Sequence, residues 1–399
     1  MGGEHNEKPV LVPRLRFPEF REAEEWKVRE LGGLCRIRTG KKDANEGCEN
    51  GLYPFFTCAE RHIFSNTYSF DAEAILIAGN ANVGQAKYYK GKFEAYQRTY
   101  VLTNFAQVSV PYLYLYLSSQ LSEALARQVQ TSAMSYIKLP MLETYKVPSP
   151  RAPAEQQKIA DCLSSLDELI TAETQKLDAL KTHKKGLMQQ LFPREGETAP
   201  RLRFPEFREA GEWEPKTIGN SCESFSGGTP STTNKSFYGG QIPFIRSAEI
   251  DKDETELFLS NEGLKNSAAK MVKVGDILVA LYGANSGDVA LSKIDGAINQ
   301  AILCLRHETN NRFVYQYLAH KKEWIIATFI QGGQGNLSGE IIKAIGLFFP
   351  RPNEQQRIAD CLSSLDDLIT AQSQKIDVLK THKKGQMQQL FPVLDEAQA

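Results

Sequence analysis

Residues 155–193 read EQQKIADCLSSLDELITAETQKLDALKTHKKGLMQQLFP, and residues 354–392 read EQQRIADCLSSLDDLITAQSQKIDVLKTHKKGQMQQLFP. The two stretches differ at 7 of 39 aligned positions and lie 199 residues apart. A shorter repeat precedes them at residues 13–26 and 200–213, where PRLRFPEFREAEEW and PRLRFPEFREAGEW differ at one position. The chain is therefore an internal repeat of two similar halves.

Apolar residues in the two long stretches recur at alternating steps of four and three, which is the seam of a heptad repeat. Residues 155–173 hold five acids and one base, whereas residues 174–191 hold one acid and four bases. Antiparallel packing sets the acidic part of one helix against the basic part of the other. Part of this charge pattern also suits the dipole of each single helix. Two similar halves are usually related by a pseudo-twofold, and a twofold perpendicular to paired helices makes them antiparallel. Together these arguments predict an antiparallel coiled coil within one chain, with a pseudo-twofold. The predicted seam residues are Ile159, Leu163, Leu166, Ile170, Leu177, Leu180, Leu187, Leu191, Ile358, Leu362, Leu365, Ile369, Ile376, Leu379 and Leu390.

Full overlap of the two seams requires facing residues whose numbers add to about 549. This register places Leu177 opposite Gln372 and Leu166 opposite Lys383. Polar side chains at such seam positions are expected to fix the register. The alternative is that each helix packs only against its own globular domain.

The segments between the repeats, 27–154 and 214–353, are each the size of a domain. Short apolar strands, Gly and Asn turns and one or two helices predict an α+β fold for both. The short repeat is called the clip below, and a packing role for it is favoured over a direct functional contact. The predicted order is a disordered N-terminus at 1–12, domain 1 at 13–152, helix 1 at 153–193, a linker at 194–199, domain 2 at 200–351, helix 2 at 352–392 and a tail at 393–399.

The composition is that of an ordinary soluble globular protein, with 41% hydrophobic and 24% charged residues. No apolar run reaches the ~18–20 residues of a membrane span. Seven scattered cysteines favour a reduced, cytoplasmic protein without a disulfide framework. A net charge of −1 argues against a dedicated nucleic-acid-binding protein, so any such surface must be local.

Motifs that carry chemistry are missing from the sequence. The stretch GNANVG at 79–84 is followed by Gln-Ala rather than Lys-Ser or Lys-Thr, so it is not a Walker A loop. The adenine-methyltransferase signature is not found, and the six histidines show no ligand spacing. We therefore expect no catalytic residue, no metal site and no cofactor in this chain.

The chain resembles the specificity subunit of type I restriction–modification systems. The resemblance rests on the two long helices, on GGTPSTTNKSFYGGQIPFI at 227–245, on GDILVALYGANSG at 275–287 and on INQAILCLR at 298–306. It implies two α+β target-recognition domains, each reading one half of a bipartite asymmetric sequence in double-stranded DNA, with the helices as spacer. It also implies two methyltransferase subunits as partners, possible restriction subunits, and S-adenosylmethionine, ATP and Mg²⁺ bound by those partners.

Base readout uses Arg, Lys, Asn and Gln, and phosphate contacts use small polar side chains, Tyr and main-chain amides. The rival functions are a protein-assembly scaffold that does not read DNA and a stand-alone enzyme. The candidate DNA contacts in domain 1 are Lys41, Lys42, Arg61, Asn80, Asn82, Gln85, Lys87, Arg98, Ser135, Tyr136 and Lys138. Those in domain 2 are Thr229, Ser231, Thr232, Lys235, Arg246, Tyr282, Asn285, Ser286, Gln331, Gln334, Asn336 and Ser338.

Overall fold

The computed structural model describes residues 11–130, 136–330, 336–392 and 394. The chain divides into two compact units. Unit 1 comprises Met1–Glu173 with Lys375–Ala399, and unit 2 comprises Thr174–Gln374. Each unit therefore contains part of both long helices.

Unit 1 is built on a six-stranded sheet with the order β2-β7-β5-β6-β3-β4, beside a two-stranded sheet of β1 and β8. Among the described strands of unit 1, β3 pairs parallel with β6 and the other pairings are antiparallel. The strands of unit 1 are β1 Lys27–Glu30, β2 Arg36–Thr39, β3 Tyr53–Phe56, β4 Ile63–Ser65, β5 Phe70–Ala78, β6 Ala86–Ala95, β7 Thr99–Thr103 and β8 Lys146–Ser149.

The central strand β5 separates two apolar layers, because successive side chains of a strand point to opposite faces. Ile75 and Ile77 pack with Leu113 of helix α1, Val110–Gln130, in the main core. Leu76 faces the other way and packs with Phe93 in a smaller core. A short helix α2, Leu139–Glu143, and the long helix α3, Pro153–Leu191, follow.

Unit 2 repeats this arrangement with two four-stranded sheets, β10-β17-β14-β15 and β12-β11-β16-β13, and a two-stranded sheet of β9 and β18. The strands are β9 Glu214–Thr217, β10 Cys222–Ser226, β11 Tyr238–Ile245, β12 Phe258–Leu259, β13 Lys270–Val272, β14 Ile277–Ala280, β15 Val289–Leu291, β16 Gly296–Ile298, β17 Ile302–His307 and β18 Gly346–Phe349. The helices are α4 Ile218–Ser221, α5 Asn261–Lys265, α6 Asn311–Phe329, α7 Gly339–Ala344 and α8 Pro352–Leu390.

The central strand of unit 2 is β14, which again divides two apolar layers. Ile277 and Val279 pack with Phe313 of α6, whereas Leu278 packs with Ile245 on the opposite face. The single strand β6 of unit 1 corresponds to β15 and β16 together, which are separated by the residues 292–295. This interruption is why unit 2 has two sheets where unit 1 has one, and the predicted α+β fold is confirmed in both.

The long helices pair antiparallel within each unit, as predicted. In unit 1, Lys383 Nζ lies 2.6 Å from Asp167 Oδ1. In unit 2, the repeat-equivalent Lys184 Nζ lies 2.6 Å from Asp366 Oδ1. The numbers of each bonded pair, 167 with 383 and 184 with 366, add to 550. These bonds agree with the predicted register of about 549 within one residue.

The fifteen predicted seam residues are all buried or half-buried. Near the helix ends the seam merges with the core of each unit. Ile159 and Leu163 of α3 join the core of unit 1, which also contains Leu390 of α8. The polar seam residue Gln372 is also buried, with 6% of its surface exposed.

The clips bind the helices through the same buried ion pair in each unit. The Arg16 guanidinium donates from Nε and from a terminal nitrogen to the two carboxylate oxygens of Glu155, both at 2.8 Å. In unit 2, Arg203 donates to Glu354 at 2.7 Å in the same two-pronged way. The indole nitrogen of buried Trp26 also donates to Glu155, at 3.2 Å. The contacts of the clip agree with the favoured packing role.

Candidate nucleic-acid interface

The loop that follows the central strand has the same main-chain pattern in both units. The Gly84 amide donates to the Ala78 carbonyl at 2.9 Å, and the Gly287 amide donates to the Ala280 carbonyl at 2.8 Å. Both glycines have a positive φ, +77° and +88°, a conformation that is unfavourable for residues with a Cβ atom. Gly84 also lies so close to the neighbouring helix that a Cβ would be 2.8 Å from Ser122 Cα.

Two further segments are hydrogen-bonded to this loop in unit 1. The Gly79 amide donates to the Arg98 carbonyl at 2.9 Å, and the Gly79 carbonyl accepts from the Ile137 amide at 2.8 Å. The turn before β7 and the segment after α1 are therefore fixed on either side of the loop.

Unit 2 repeats these bonds. The Leu281 amide donates to the Ala301 carbonyl at 2.8 Å, and the Leu281 carbonyl accepts from the Leu337 amide at 3.0 Å. These hydrogen bonds make the recognition candidates in the three segments neighbours, although they are far apart in sequence.

A fourth segment reaches the same turn through a glycine that no other residue can replace. A Cβ on Gly40 would lie 1.9 Å from the Ala95 carbonyl oxygen, and a Cβ on Gly227 would lie 1.8 Å from the Ile298 carbonyl oxygen. The residues after these glycines are thereby held against the turn. We call the four joined segments of each unit the loop cluster: 40–42, 79–87, 96–98 and 136–138 in unit 1, and 227–229, 281–290, 299–301 and 336–338 in unit 2.

Most candidates of domain 1 lie in this loop cluster, and Arg61 lies in a neighbouring segment whose carbonyls accept from the cluster. Ser135 lies outside the described residues. The exposed candidates are Lys41, Arg61, Asn82, Arg98 and Lys138. The half-buried ones are Lys42, Asn80, Gln85, Lys87 and Tyr136.

Three of these side chains support the cluster from within. Lys42 Nζ donates to Thr67 Oγ1 at 2.6 Å and lies 3.6 Å from the buried Glu94 carboxylate. Asn82 Nδ2 donates to the Cys58 carbonyl at 2.9 Å. Lys87 donates to a main-chain carbonyl, and burial lowers the pKa of its ammonium group below the usual value. These contacts position the segments rather than leaving the groups free for DNA.

The candidates of domain 2 are distributed over the loop cluster and over the segment that leads from it to β11. Gln331 and Gln334 lie outside the described residues. The exposed candidates are Thr229, Ser231, Thr232, Lys235, Tyr282, Asn336 and Ser338. The half-buried ones are Arg246, Asn285 and Ser286.

Arg246 is engaged by carboxylates. Its guanidinium donates to Glu249 at 2.8 and 3.0 Å and to Glu256 at 2.6 Å. Burial of Glu249 opposes its ionisation, but the hydrogen bonds from Arg246 and from main-chain amides lower the pKa of this carboxyl to about 2. The charges of Arg246 and Glu249 therefore compensate each other and stabilise the loop between β11 and β12.

Two glutamines in the clusters were not selected from the sequence. Gln97 is exposed at the turn before β7, and Gln300 occupies the same turn in unit 2, where its Oε1 accepts from Thr229 Oγ1 at 2.7 Å. Their common position before an apolar strand, as Gln97-Arg98 and Asn299-Gln300, was a signal that could have identified both.

Among the described residues, no group of three or more His, Cys, Asp or Glu side chains could hold a metal ion. No described helix is long and apolar enough to cross a membrane. Each unit thus presents a cluster of polar loop side chains on a hydrogen-bonded main-chain frame, which suits recognition of an extended polar ligand.

Comparison with known proteins gives a consistent result. The model of the type I restriction modification DNA specificity domain matches residues 23–182 and 210–381. The specificity subunit of the type I restriction enzyme EcoDI from Escherichia coli is 39% identical over 142 residues, which cover 36% of this chain and 31% of that relative. The MjaVIII specificity subunit from Methanocaldococcus jannaschii is 24% identical over 410 residues, covering 94% of this chain and 93% of the relative.

Solved structures share the fold. The S subunit of a type I restriction-modification system from M. genitalium matches with a TM-score of 0.65 and 15% identity, over 96% of this chain and all of the other. A chain from a study of complex assembly and conformational transition of the type I R-M system matches with a TM-score of 0.57 and 14% identity. This second match covers 92% of this chain and 97% of that one.

Proposed function

Since the chain belongs to the type I restriction modification DNA specificity family, we propose that each unit reads one half of a bipartite, asymmetric sequence in double-stranded DNA. The chain is the DNA sequence-recognition subunit of such a system and not its catalytic subunit. The reading groups are proposed to be the exposed polar side chains of the two loop clusters, because base edges are read by such groups in the grooves.

One observation carries this proposal: the two clusters share their main-chain frame and differ in their side chains. Gly79 and Leu281 make equivalent hydrogen bonds to the two flanking segments. The side chains on this common frame differ, as with Arg98 in unit 1 and Ala301 in unit 2. A shared frame with different side chains suits two readers of the same polymer that recognise different base sequences.

The paired helices are proposed to act as spacer between the two readers and as the docking surface for two methyltransferase subunits. Their sequences are nearly identical, so two copies of one partner would find equivalent surfaces. The repeat-equivalent Leu169 and Leu368 are 41% and 54% exposed and supply apolar contact area at matching positions.

The chemistry is proposed to reside in the partners. S-adenosylmethionine would be bound by the methyltransferase subunits, and ATP with Mg²⁺ by restriction subunits where these join. The chain itself would need no cofactor. Such a complex acts on cellular DNA, so we place it in the cytoplasm.

A domain replacement tests the assignment. Residues 27–154 are exchanged for the corresponding domain of another specificity subunit, and the methylated DNA word is determined by sequencing the methylome of a host that supplies the partners. We expect one half of the word to change and the other to persist. The reciprocal replacement of 214–353 is the matched control and should change the other half. An unchanged word after both replacements would contradict DNA reading and favour a scaffold.

A further inference from the structure

The two loop clusters differ systematically in charge. Residues 27–154 contain 15 Lys and Arg against 10 Asp and Glu, whereas residues 214–353 contain 14 of each. The first domain thus carries a net charge of +5 and the second a net charge of 0, within a chain of net charge −1. This contrast is concentrated at equivalent positions of the two clusters.

Equivalence is defined by the shared hydrogen bonds and strand pairs. The Arg98 carbonyl accepts from the Gly79 amide in unit 1, and the Ala301 carbonyl accepts from the Leu281 amide in unit 2. Lys138 and Ser338 are the N-cap residues of α2 and α7. In the strand register, Lys87 lies opposite Leu76 of the central strand in unit 1, and Ala290 lies opposite Leu278 of the central strand in unit 2. At five such positions a base in unit 1 corresponds to an uncharged residue in unit 2. The pairs are Lys41 with Gly228, Lys42 with Thr229, Lys87 with Ala290, Arg98 with Ala301 and Lys138 with Ser338.

Three of the five bases have charges that remain free. Lys41, Arg98 and Lys138 are exposed, and their side chains make no hydrogen bond or ion pair with any residue that the structure describes. Lys42 and Lys87, in contrast, are used within the cluster, as shown above. The free cations of unit 1 are therefore available to a ligand with several negative charges.

Unit 2 shows the opposite arrangement. Its half-buried Arg246 is held between Glu249 and Glu256, so its charge is already compensated. The loop after it, residues 251–256, holds four exposed acids, including Glu256, against one exposed base, Lys252. At the position of Gln85 the second cluster has Asp288, which is itself paired with Lys322. The second cluster itself, as defined above, contains no Lys or Arg, so it offers neutral donors and acceptors rather than cations.

From this contrast we infer that the two readers divide the work of binding DNA. The cluster of unit 1 is the ionic anchor that contacts backbone phosphates through Lys41, Arg98 and Lys138, and the cluster of unit 2 contributes readout with little ionic affinity. This inference rests on the proposed function. Because phosphate contacts release counterions, the division predicts that most of the salt dependence of binding comes from unit 1.

The test measures the affinity of the full chain for a short duplex of random sequence between about 50 and 200 mM salt. The triple variant K41G/R98A/K138S places the residues of unit 2 at the three positions. Each lost phosphate contact should make the slope of log affinity against log salt less negative by about 0.9, so the variant should differ from the parent by about 2.7. Between the two salt concentrations, the factor by which the affinity of the variant falls should be roughly 40 times smaller than the factor for the parent.

A matched control removes the same charge elsewhere in domain 1. Lys27, Arg36 and Lys90 are exposed bases on β1, β2 and β6 outside the cluster. The variant K27G/R36A/K90S should keep the parental slope. An equal change in both variants would show that bulk charge matters and would overturn the inference. So would a parental slope in K41G/R98A/K138S, or failure of the parent chain to bind the duplex at the lowest salt.

A variant that adds positive charge to unit 2 distinguishes a lost phosphate contact from misfolding, because misfolding would not make the salt dependence steeper. The variant A301R/S338K gives unit 2 two of the cations of unit 1, and its slope should become steeper by about 1.8. No steepening would contradict the inference. The domain replacement described above reads the methylated word rather than salt dependence, so it still tests the proposed function if these slopes do not change.

Discussion

Replacing Glu155 by Gln is expected to loosen the first clip and leave the second unchanged. The side chains of Arg16 and Glu155 are 9% and 1% exposed, so both charges are withdrawn from water and depend on each other. The neutral amide keeps one acceptor oxygen but places a donor NH2 group where the second carboxylate oxygen accepted. The guanidinium is then left with neutral acceptors only, among them the main-chain oxygens of Ala23 and Glu24. Removing one partner of a buried ion pair costs about 3–5 kcal/mol.

Hydrogen exchange measured by mass spectrometry on peptides that cover 13–26 reports the local opening of the clip. A loss of about 3 kcal/mol corresponds to exchange that is on the order of 100-fold faster. Peptides that cover 200–213 provide the control in the same molecule, because that clip differs at one residue and keeps its own pair of Arg203 with Glu354. Acceleration below about tenfold in the first clip, or equal acceleration in both, would refute the reasoning.

Three further results are expected. The reversal K383D should lower the thermal unfolding midpoint of the chain, with a cost of about 1 kcal/mol for this partly exposed pair, and the added D167K should restore most of it if the helices pair as described. The variant G227A should lose sequence-specific DNA binding in a complex-based assay, because its Cβ would meet a main-chain oxygen at 1.8 Å, whereas G211A has open space and should bind normally. Glu249 has a folded pKa of about 2, below its unfolded value, so the stability that its ionised form contributes is present above about pH 4.3 and is lost as the pH falls toward 2. The variant E249Q lacks this contribution. Its free energy of unfolding should therefore fall less than that of the parent over this pH interval in an acid-unfolding experiment.

The helix pair could be predicted because the heptad pattern and the charge pattern of each helix lie within one short stretch of sequence and occur twice in the chain. The heptad seam predicted the spacing. The acidic and basic parts of each helix, together with the twofold relation expected of two similar halves, predicted the direction. The bond between Lys383 and Asp167 agrees with the register that the seams required. By contrast, the seam did not reveal that Glu155 is buried, because its partner Arg16 is 139 residues away.

The loop clusters could be predicted only as sets of residue types. The hydrogen bonds that join Gly79 to Arg98 and to Ile137 connect segments separated by long stretches of chain, and a single sequence does not show such contacts. The same limitation explains Arg246, which is a good DNA-binding residue by type. Its carboxylate partner Glu249 is only three residues away, but burial of that pair depends on the tertiary fold.

The central claim is that each unit reads its own half of the DNA word. The most direct measurement uses a chain in which residues 214–353 are replaced by a second copy of residues 27–154, expressed with its methyltransferase partner. Methylome sequencing should then show a word whose two halves are the same sequence in opposite orientations. Persistence of the asymmetric parental word would contradict the claim that the two units are the two readers.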